Sequence, residues 1–474
     1  MMNSPIKYKE TKNLKTSDDL TNANSLDDEP KIPNLFEIGN NINLMVKFGH
    51  LIDELRKNPT VFTLINLNEI LNESAIQACH HLIDIHVISS LLNIASENNS
   101  DLNMRQNAFF VISLIMEQFP TSIPMFMHEK LPLLLTKSLE RPNELFISSV
   151  FKVITTLIKM NIPFRSVFFS TFHLSILFHA AYQNLSAQHC HYIVECFTAI
   201  TQYIEITDIE EVNTIMNIFK LIFIQKLQRN MKINYHSHSY ALIGTINLLS
   251  NTNIPSDERK ELALSNMIHV YVQYYFQGNE LTSDKINATI LTARLICLNI
   301  TNIPNSLPNI VNLLQLHYLD SQYHLIIQSL KQIIEFCPLE TFQYLIEQLN
   351  LVNVIMDIIP RATLSTKIEI YECIRIIITI TPVPILLNLI HENLLQCILD
   401  LTDLDDKEFT NKIIEDINTI LSVFEESGQL DLFIIMMSNI DADEVMENLI
   451  QNDHVNEETK FIISSIHEKI TSKV

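Results

Sequence analysis

The most constraining feature of this chain is a helical pattern that appears three times between His86 and Ile204. Apolar residues recur at i, i+4, i+7, i+8 and i+11, which is one face of an α-helix. The copies are Met104, Ala108, Val111, Ile112, Ile115; then Phe146, Val150, Val153, Ile154, Leu157; then Tyr192, Cys196, Ala199, Ile200, Tyr203. Their first members are 42 and 46 residues apart, within the range of about 40–47 residues for stacked helical repeats. The pattern therefore predicts a repeat array.

The periodicity continues toward the C-terminus. Cys337-Pro338 recurs as Thr381-Pro382, 44 residues later. The β-rich run Ile374–Ile380 has helical flanks and lacks the Gly/Asn turn pairs that mark hairpins. We therefore expect an all-α chain of about nine to ten repeats of about 44 residues each.

Composition divides the chain into three parts. Residues 1–31 mix Lys, Asp, Asn, Ser and Thr with few large apolar residues, which predicts a disordered N-terminal tail. Residues 32–438 carry the helical period and form the predicted repeat domain. The helices expected within 439–474 are more polar and acidic, as capping helices of a solenoid must be to stay soluble.

The amino-acid composition and the lack of catalytic motifs argue against an enzyme. The chain has only five glycines, and no two of them form a G-x-G phosphate loop. Its 54 carboxylates include no recognisable nucleophile elbow or metal-hydrolase motif. His189 and Cys196 could share one face of a predicted helix, but Cys190 and His191 point elsewhere, so this arrangement alone cannot supply four zinc ligands. We expect a non-enzymatic protein with no cofactor and no metal.

The remaining whole-chain features predict a cytoplasmic and nuclear protein. The seven cysteines form no C-x-x-C pair, which is typical of reduced thiols. The N-terminus lacks the apolar core of a secretory signal, and no run reaches the about 18 apolar residues of a membrane span. Basic residues are scattered, with the densest group at Lys220, Lys226, Arg229 and Lys232, so nucleic-acid binding is not expected.

The formal net charge of −22 is unevenly distributed. Residues 391–474 contain nineteen Asp and Glu against five Lys, a net charge of −14. Such an end attracts basic partners and repels phosphate. A solvated helical surface without a partner is the alternative interpretation.

The order of a short apolar helix, a polar gap and a long helix resembles the armadillo repeat family from about Asn41 to Ser438. Within that family the layout is most similar to importin-α. The resemblance implies a right-handed superhelical armadillo/HEAT-type solenoid with a concave groove that binds the basic nuclear localisation segments of cargo. It also implies that the N-terminal tail, with Lys7, Lys9, Lys12 and Lys15, docks on an import receptor.

Importin-α carries a ladder of Trp and Asn along its groove, whereas this chain has no Trp. The residues in register, which form the candidate peptide-binding groove, are Phe109 with Ser113, Phe151 with Thr155, Phe197 with Thr201, Ile243 with Asn247, and Leu295 with Asn299. The three Phe residues lie off the core stripe of their helices, where they could pack on Lys or Arg stems. Burial against a neighbouring helix is the alternative.

The leading hypothesis is therefore an importin-α-like adaptor for nuclear import. The alternative is a general armadillo scaffold, or a regulatory subunit, unconnected with import. The two differ in their ligands, because only the import adaptor requires basic peptides.

Overall fold

The computed structural model describes residues 35–96, 101–185, 190–227, 235–276, 282–300, 306–316, 323–403, 406–451 and 455–471. Within these ranges the chain is helical and contains no strand, which confirms the all-α prediction. The predicted tail at 1–31 lies outside the described residues. The boundary between the repeat domain and the capping helices, placed between residues 438 and 439, stays a prediction.

The helices up to residue 271 are α1 (Leu35–Lys57), α2 (Val61–Ile70), α3 (Ile85–Ala95), α4 (Leu102–Gln118), α5 (Ile123–His128), α6 (Leu131–Glu140), α7 (Ile147–Met160), α8 (Ile162–Ser166), α9 (Phe168–Thr171), α10 (Leu174–Asn184), α11 (His191–Tyr203), α12 (Ile209–Leu227), α13 (Tyr235–Ser250), α14 (Ser256–Ser265) and α15 (Ile268–Tyr271).

The helices that follow are α16 (Thr282–Cys297), α17 (Leu307–Leu316), α18 (Tyr323–Phe336), α19 (Leu339–Gln343), α20 (Leu351–Ile358), α21 (Leu364–Ile380), α22 (Val383–Leu389), α23 (Glu392–Asp400), α24 (Lys407–Glu426), α25 (Leu430–Asn439), α26 (Ala442–Gln451) and α27 (Glu457–Thr471). Short 3₁₀ segments join some of them, at Ser74–Leu82, Pro120–Ser122, Val272–Phe276, Ile359–Arg361 and Leu401–Asp403, and a π-helical turn lies at Tyr344–Gln348.

Helix starts follow from local side-chain chemistry. Asp84, Asp101 and Asp406 each precede a helix and accept hydrogen bonds from backbone N–H groups of its first turn. These are N-cap bonds, which satisfy amides that have no partner within the helix. Asp101 thus caps the start of α4, and Pro120 follows shortly after its end.

One layer of helices runs the length of the molecule, and each member packs against the next. We call this layer the stack; it consists of α2, α4, α7, α11, α13, α16, α18, α21, α24 and α27. The starts of α4, α7 and α11, at residues 102, 147 and 191, are 45 and 44 residues apart. Most other helices form a second layer, in which α6 contacts α10, α10 contacts α12 and α17 contacts α20.

A stack helix is buried on three sides. On α4 the predicted stripe residues Ala108, Val111, Ile112 and Ile115 are fully buried toward the second layer. Its other two sides meet α2 and α7, so Phe109 and Met116 are also fully buried. Only a narrow face of each stack helix therefore remains for solvent.

The two layers approach each other closely at Gly244 of α13. A Cβ atom at this position would lie 2.2 Å from Cζ of the Phe219 ring on α12. The ring thus occupies the space of a side chain, and only glycine fits there.

We predict that Gly244→Ala lowers the free energy of unfolding by about 1–3 kcal/mol through overpacking. The matched control is Gly49→Ala on α1, where the nearest atom to a new Cβ is 3.9 Å away. That change should raise stability by about 0.5–1 kcal/mol, because alanine favours a helix interior. Thermal or urea unfolding of both variants checks this; equal effects at the two sites would contradict the packing described.

Candidate functional site: the exposed face of the stack

The structure places the three predicted groove rings inside the protein. Phe109, Phe151 and Phe197 have exposures of 0%. The Phe109 ring lies 6.3 Å from that of Phe146, and the Phe151 ring lies 6.2 Å from that of Phe197 on the next stack helix. These rings cannot contact a peptide at the surface, so the structure shows the alternative interpretation, burial between helices. The reason is that a residue off the core stripe still faces a neighbouring repeat.

The polar partners of these rings are also engaged internally. Ser113 and Thr155 are fully buried and donate hydrogen bonds to carbonyl oxygens of their own helices, at 2.8 and 2.9 Å. Thr201 and Asn247 are half-buried, and the Asn247 amide donates to the Thr201 hydroxyl at 3.2 Å. That bond links α11 to α13 and leaves part of each side chain at the surface.

The last predicted pair has a different role. Leu295 is fully buried, whereas Asn299 is exposed and follows the end of α16 with a φ of 57°. The N–H of Ile300 donates to the Leu295 carbonyl at 3.0 Å, and that of Asn299 donates to the Ile296 carbonyl at 2.8 Å. Asn299 therefore ends the helix in the left-handed conformation that Asn tolerates.

Phe110, one position after the predicted ladder residue Phe109, lies at the surface instead. Phe110 of α4 is half-buried, and its ring lies 5.6 Å from that of Tyr192 on α11. Helix α7 lies between α4 and α11 in the stack. Rings on two alternate helices can meet only if the exposed face curves inward, so the stack is concave here.

Charges under these rings are paired across the repeats. The Lys152 ammonium lies 3.0 Å from Glu117, and the Thr156 hydroxyl donates to the same carboxylate at 2.8 Å. Two turns further along α7, Lys159 lies 2.6 Å from Glu195 of α11. The lysines of α7 are therefore neutralised by carboxylates of α4 and α11, the neighbouring stack helices.

The partial burial of Lys152 and Tyr192 beside two carboxylates shifts the pKa of both groups. Burial alone would lower the pKa of Lys152, but the carboxylates of Glu195 and Glu117 raise it above its ordinary value. Burial raises the pKa of the Tyr192 phenol, and the two carboxylates raise it further. Lys152 and Tyr192 therefore both keep their protons near neutral pH.

The first stack helix presents apolar side chains on the same face. Phe62 of α2 is 77% exposed, and Ile65, one turn on, is 37% exposed. Leu64, Leu67 and Ile70 are buried on the opposite side. Together with Phe110 and Tyr192, Phe62 and Ile65 make the N-terminal half of the concave face rich in aromatic and apolar side chains, with Glu69 exposed beside them on α2.

The C-terminal half has the opposite character. Helix α24 packs on α21 through Asp416 and reaches α27 through Glu425, which lies 2.7 Å from Lys469. The exposed face between these contacts is polar; its residues are Glu408, Glu415, Thr419, Ser422 and Glu426. On α27 the corresponding face carries Glu457, Phe461, Ser464 and Glu468, with Phe461 78% exposed.

Three of these carboxylates lack an ion-pair partner. No Lys, Arg or His of the described chain lies within 4 Å of Glu415, Glu426 or Glu468. The acidic stripe, which we define as these three residues with Phe461, combines unneutralised charge with an exposed aromatic ring. Such a surface suits a Lys or Arg side chain, whose stem packs on the ring and whose cation meets the carboxylates.

The described residues include no cluster suited to a metal ion and no single helix suited to crossing a membrane. Among the described residues no group of three His, Cys, Asp or Glu could hold a metal ion, and His189 lies outside them. Burial raises the pKa of Cys196 to about 12, so this thiol is a poor nucleophile. No single helix of the described chain is long and apolar enough to cross a membrane; α4 with the segment Pro120–His128 passes as a pair on length and composition, bent by 114°.

Comparisons with known proteins show the fold. No family model and no curated protein matches the chain. An engineered protein of known crystal structure is similar over 90% of this chain and 98% of its own, at 13% identity and a TM-score of 0.65. Importin beta is similar over 95% of this chain at 10% identity and a TM-score of 0.50, and the match spans 56% of its structure. The chain therefore has an armadillo/HEAT-like repeat fold.

The adjacent residues Phe109 and Phe110 provide a test of this site. Phe109→Ala should lower the free energy of unfolding by about 3–5 kcal/mol, because it empties a fully buried position. Phe110→Ala should cost clearly less, since that ring is half exposed. Denaturant unfolding of the two variants checks this, and equal losses would contradict the assignment of Phe110 to the concave face.

Proposed function

We propose that this protein is a non-enzymatic adaptor that holds an extended, basic segment of a partner protein on the concave face of its stack. The observation that carries the proposal is the acidic stripe, where unpaired carboxylates and the exposed Phe461 ring lie on the exposed faces of α24 and α27. The ion pairs Lys152–Glu117 and Lys159–Glu195 neutralise the face over α7, so a cationic ligand gains more binding energy at the acidic stripe than there.

We further propose, from the resemblance to importin-α, that the bound segments are nuclear localisation signals and that the protein moves between cytoplasm and nucleus. In this proposal the Lys-containing N-terminal tail contacts an import receptor. The likeness to importin beta supports the repeat architecture on which such an adaptor would be built; it carries no information on cargo.

A general scaffold unconnected with import is the second candidate. The aromatic surface formed by Phe62, Phe110 and Tyr192 favours the general scaffold. These side chains carry no charge, so they would contribute little to an adaptor that binds only basic segments. Sequence selectivity separates the candidates, since an import adaptor must distinguish a localisation segment from other basic peptides.

The first experiment is calorimetric titration of the full chain with a Lys/Arg-rich localisation peptide at about 0.05 M and about 0.15 M ionic strength. We expect saturable binding that salt weakens. A scrambled peptide of the same composition should bind clearly more weakly if the protein is an import adaptor, and equally if it is a general scaffold. Absence of binding at both ionic strengths would overturn the proposal.

The acidic stripe is tested by neutralising Glu415, Glu426 and Glu468 to Gln together. Each exposed charge contributes about 0.5 kcal/mol, so the triple variant should bind the basic peptide about tenfold more weakly. The matched control neutralises Glu144, Glu258 and Glu261, which are equally exposed but lie outside the stack. If the control loses as much affinity as the stripe variant, the attraction is general rather than local.

A further inference from the structure

A second surface lies at one edge of the solenoid, where α18 and α21 end. We call it the apolar rim; it consists of Phe336 (47% exposed), Leu339 (53%), Ile380 (41%) and Val383 (44%). Phe336 and Ile380 are the last residues of α18 and α21. Leu339 and Val383 begin α19 and α22, the helices that follow.

Side-chain contacts show that these positions are level with each other. Lys331 lies 3.8 Å from Glu372, and the Gln328 amide donates to Glu369 at 3.4 Å, both across 41 residues. The Cys373 thiol donates to the Ile327 carbonyl across 46 residues. Residues about 44 apart therefore lie side by side, as do Phe336 with Ile380 and Leu339 with Val383. Because packed helices are about 8–10 Å apart, the four form one patch.

Other repeats do not continue this patch. At the end of α24, 44 residues beyond Ile380 and Val383, Phe424 is buried and Ser427 is polar. After α11, Ile204 is buried and Glu205 is exposed. An isolated pair, Met160 and Ile162, is exposed after α7. The turn itself thus does not require exposed apolar residues, and among the helix ends that the structure describes, two adjacent repeats carry them together only at the apolar rim.

The surroundings of the apolar rim are negative. Glu335 and Glu340 are exposed on either side of Phe336. The carbonyl ends of α18 and α21 add partial negative charge. The nearest basic side chains, Lys331 and Arg375, are already held by Glu372 and Asp416. A partner must therefore combine apolar side chains with a cationic border.

We propose that the apolar rim docks a basic amphipathic helix of a partner protein. Apolar side chains two turns apart on such a helix are about 10 Å apart, which matches the distance between neighbouring stack helices. Lys or Arg beside them would meet Glu335 and Glu340. An anionic lipid surface is repelled by the same carboxylates, so the charge favours a protein over a membrane.

The test uses a fluorescently labelled synthetic helix with Leu at i, i+3, i+4 and i+7 and Lys along both borders. We expect saturable anisotropy with the full chain, and binding about tenfold weaker to Phe336→Ser/Ile380→Ser. The control Ile162→Ser removes an equally apolar but isolated residue and should bind normally. Thermal unfolding should be nearly unchanged in both, because the substituted side chains are exposed.

Three outcomes would overturn this inference: unchanged binding by the double variant, an equal loss in Ile162→Ser, or equal binding of a peptide with Glu in place of Lys. Binding to vesicles that contain phosphatidylserine is measured as well. If that binding depends on Phe336 and Ile380, the apolar rim binds a membrane rather than a protein helix. The stripe variant with Gln at 415, 426 and 468 should bind the helix normally, which separates a failure here from a failure of the proposed function.

Discussion

Side-by-side packing of the stack helices is the constraint on which the rest of this structure depends. A helix with neighbours before it, after it and behind it buries three of its four sides, and α7 shows the result. From Ile147 to Ile158 every residue of α7 except Lys152 is buried. What the molecule can present to a partner is therefore limited to one narrow face, to the loops and to the helix ends.

Polar side chains fix the register of this packing. Asp416 of α24 is 6% exposed, and it accepts hydrogen bonds from the Tyr371 hydroxyl at 2.6 Å and from Arg375 at 3.3 Å, both on α21. Burial raises the pKa of Asp416, and the two donors offset part of that effect. A slip of one residue would leave the carboxylate without these partners, and an unsatisfied buried charge is costly. Such bonds specify the alignment of repeats that apolar contacts alone would leave loose.

The repeats were predictable from the sequence because a buried stripe has a period, and that period is visible without a structure. The cap at Asp101 and the helical state of Ile374–Ile380 followed from local chemistry. The groove was not predictable in the same way. Choosing Phe110 over Phe109 requires the directions of the neighbouring repeats, since both residues lie off the stripe. Phe461 could have been noticed as an aromatic at i+4 from Glu457 and seven residues before Glu468, within a polar helix.

The distribution of charge along the concave face links packing to function. Where the face is tightly closed, as over α7, each carboxylate has a lysine within about 3 Å, because an unpaired charge in so enclosed a place would be unfavourable. Toward α24 and α27 the face is open, water solvates the carboxylates, and no such pairing is required. The end at α24 and α27 can therefore present unpaired carboxylates to a ligand, whereas the closed end over α7 presents mainly aromatic rings and amide groups. A segment that uses the whole face would need basic residues at only one end, which gives it a defined orientation.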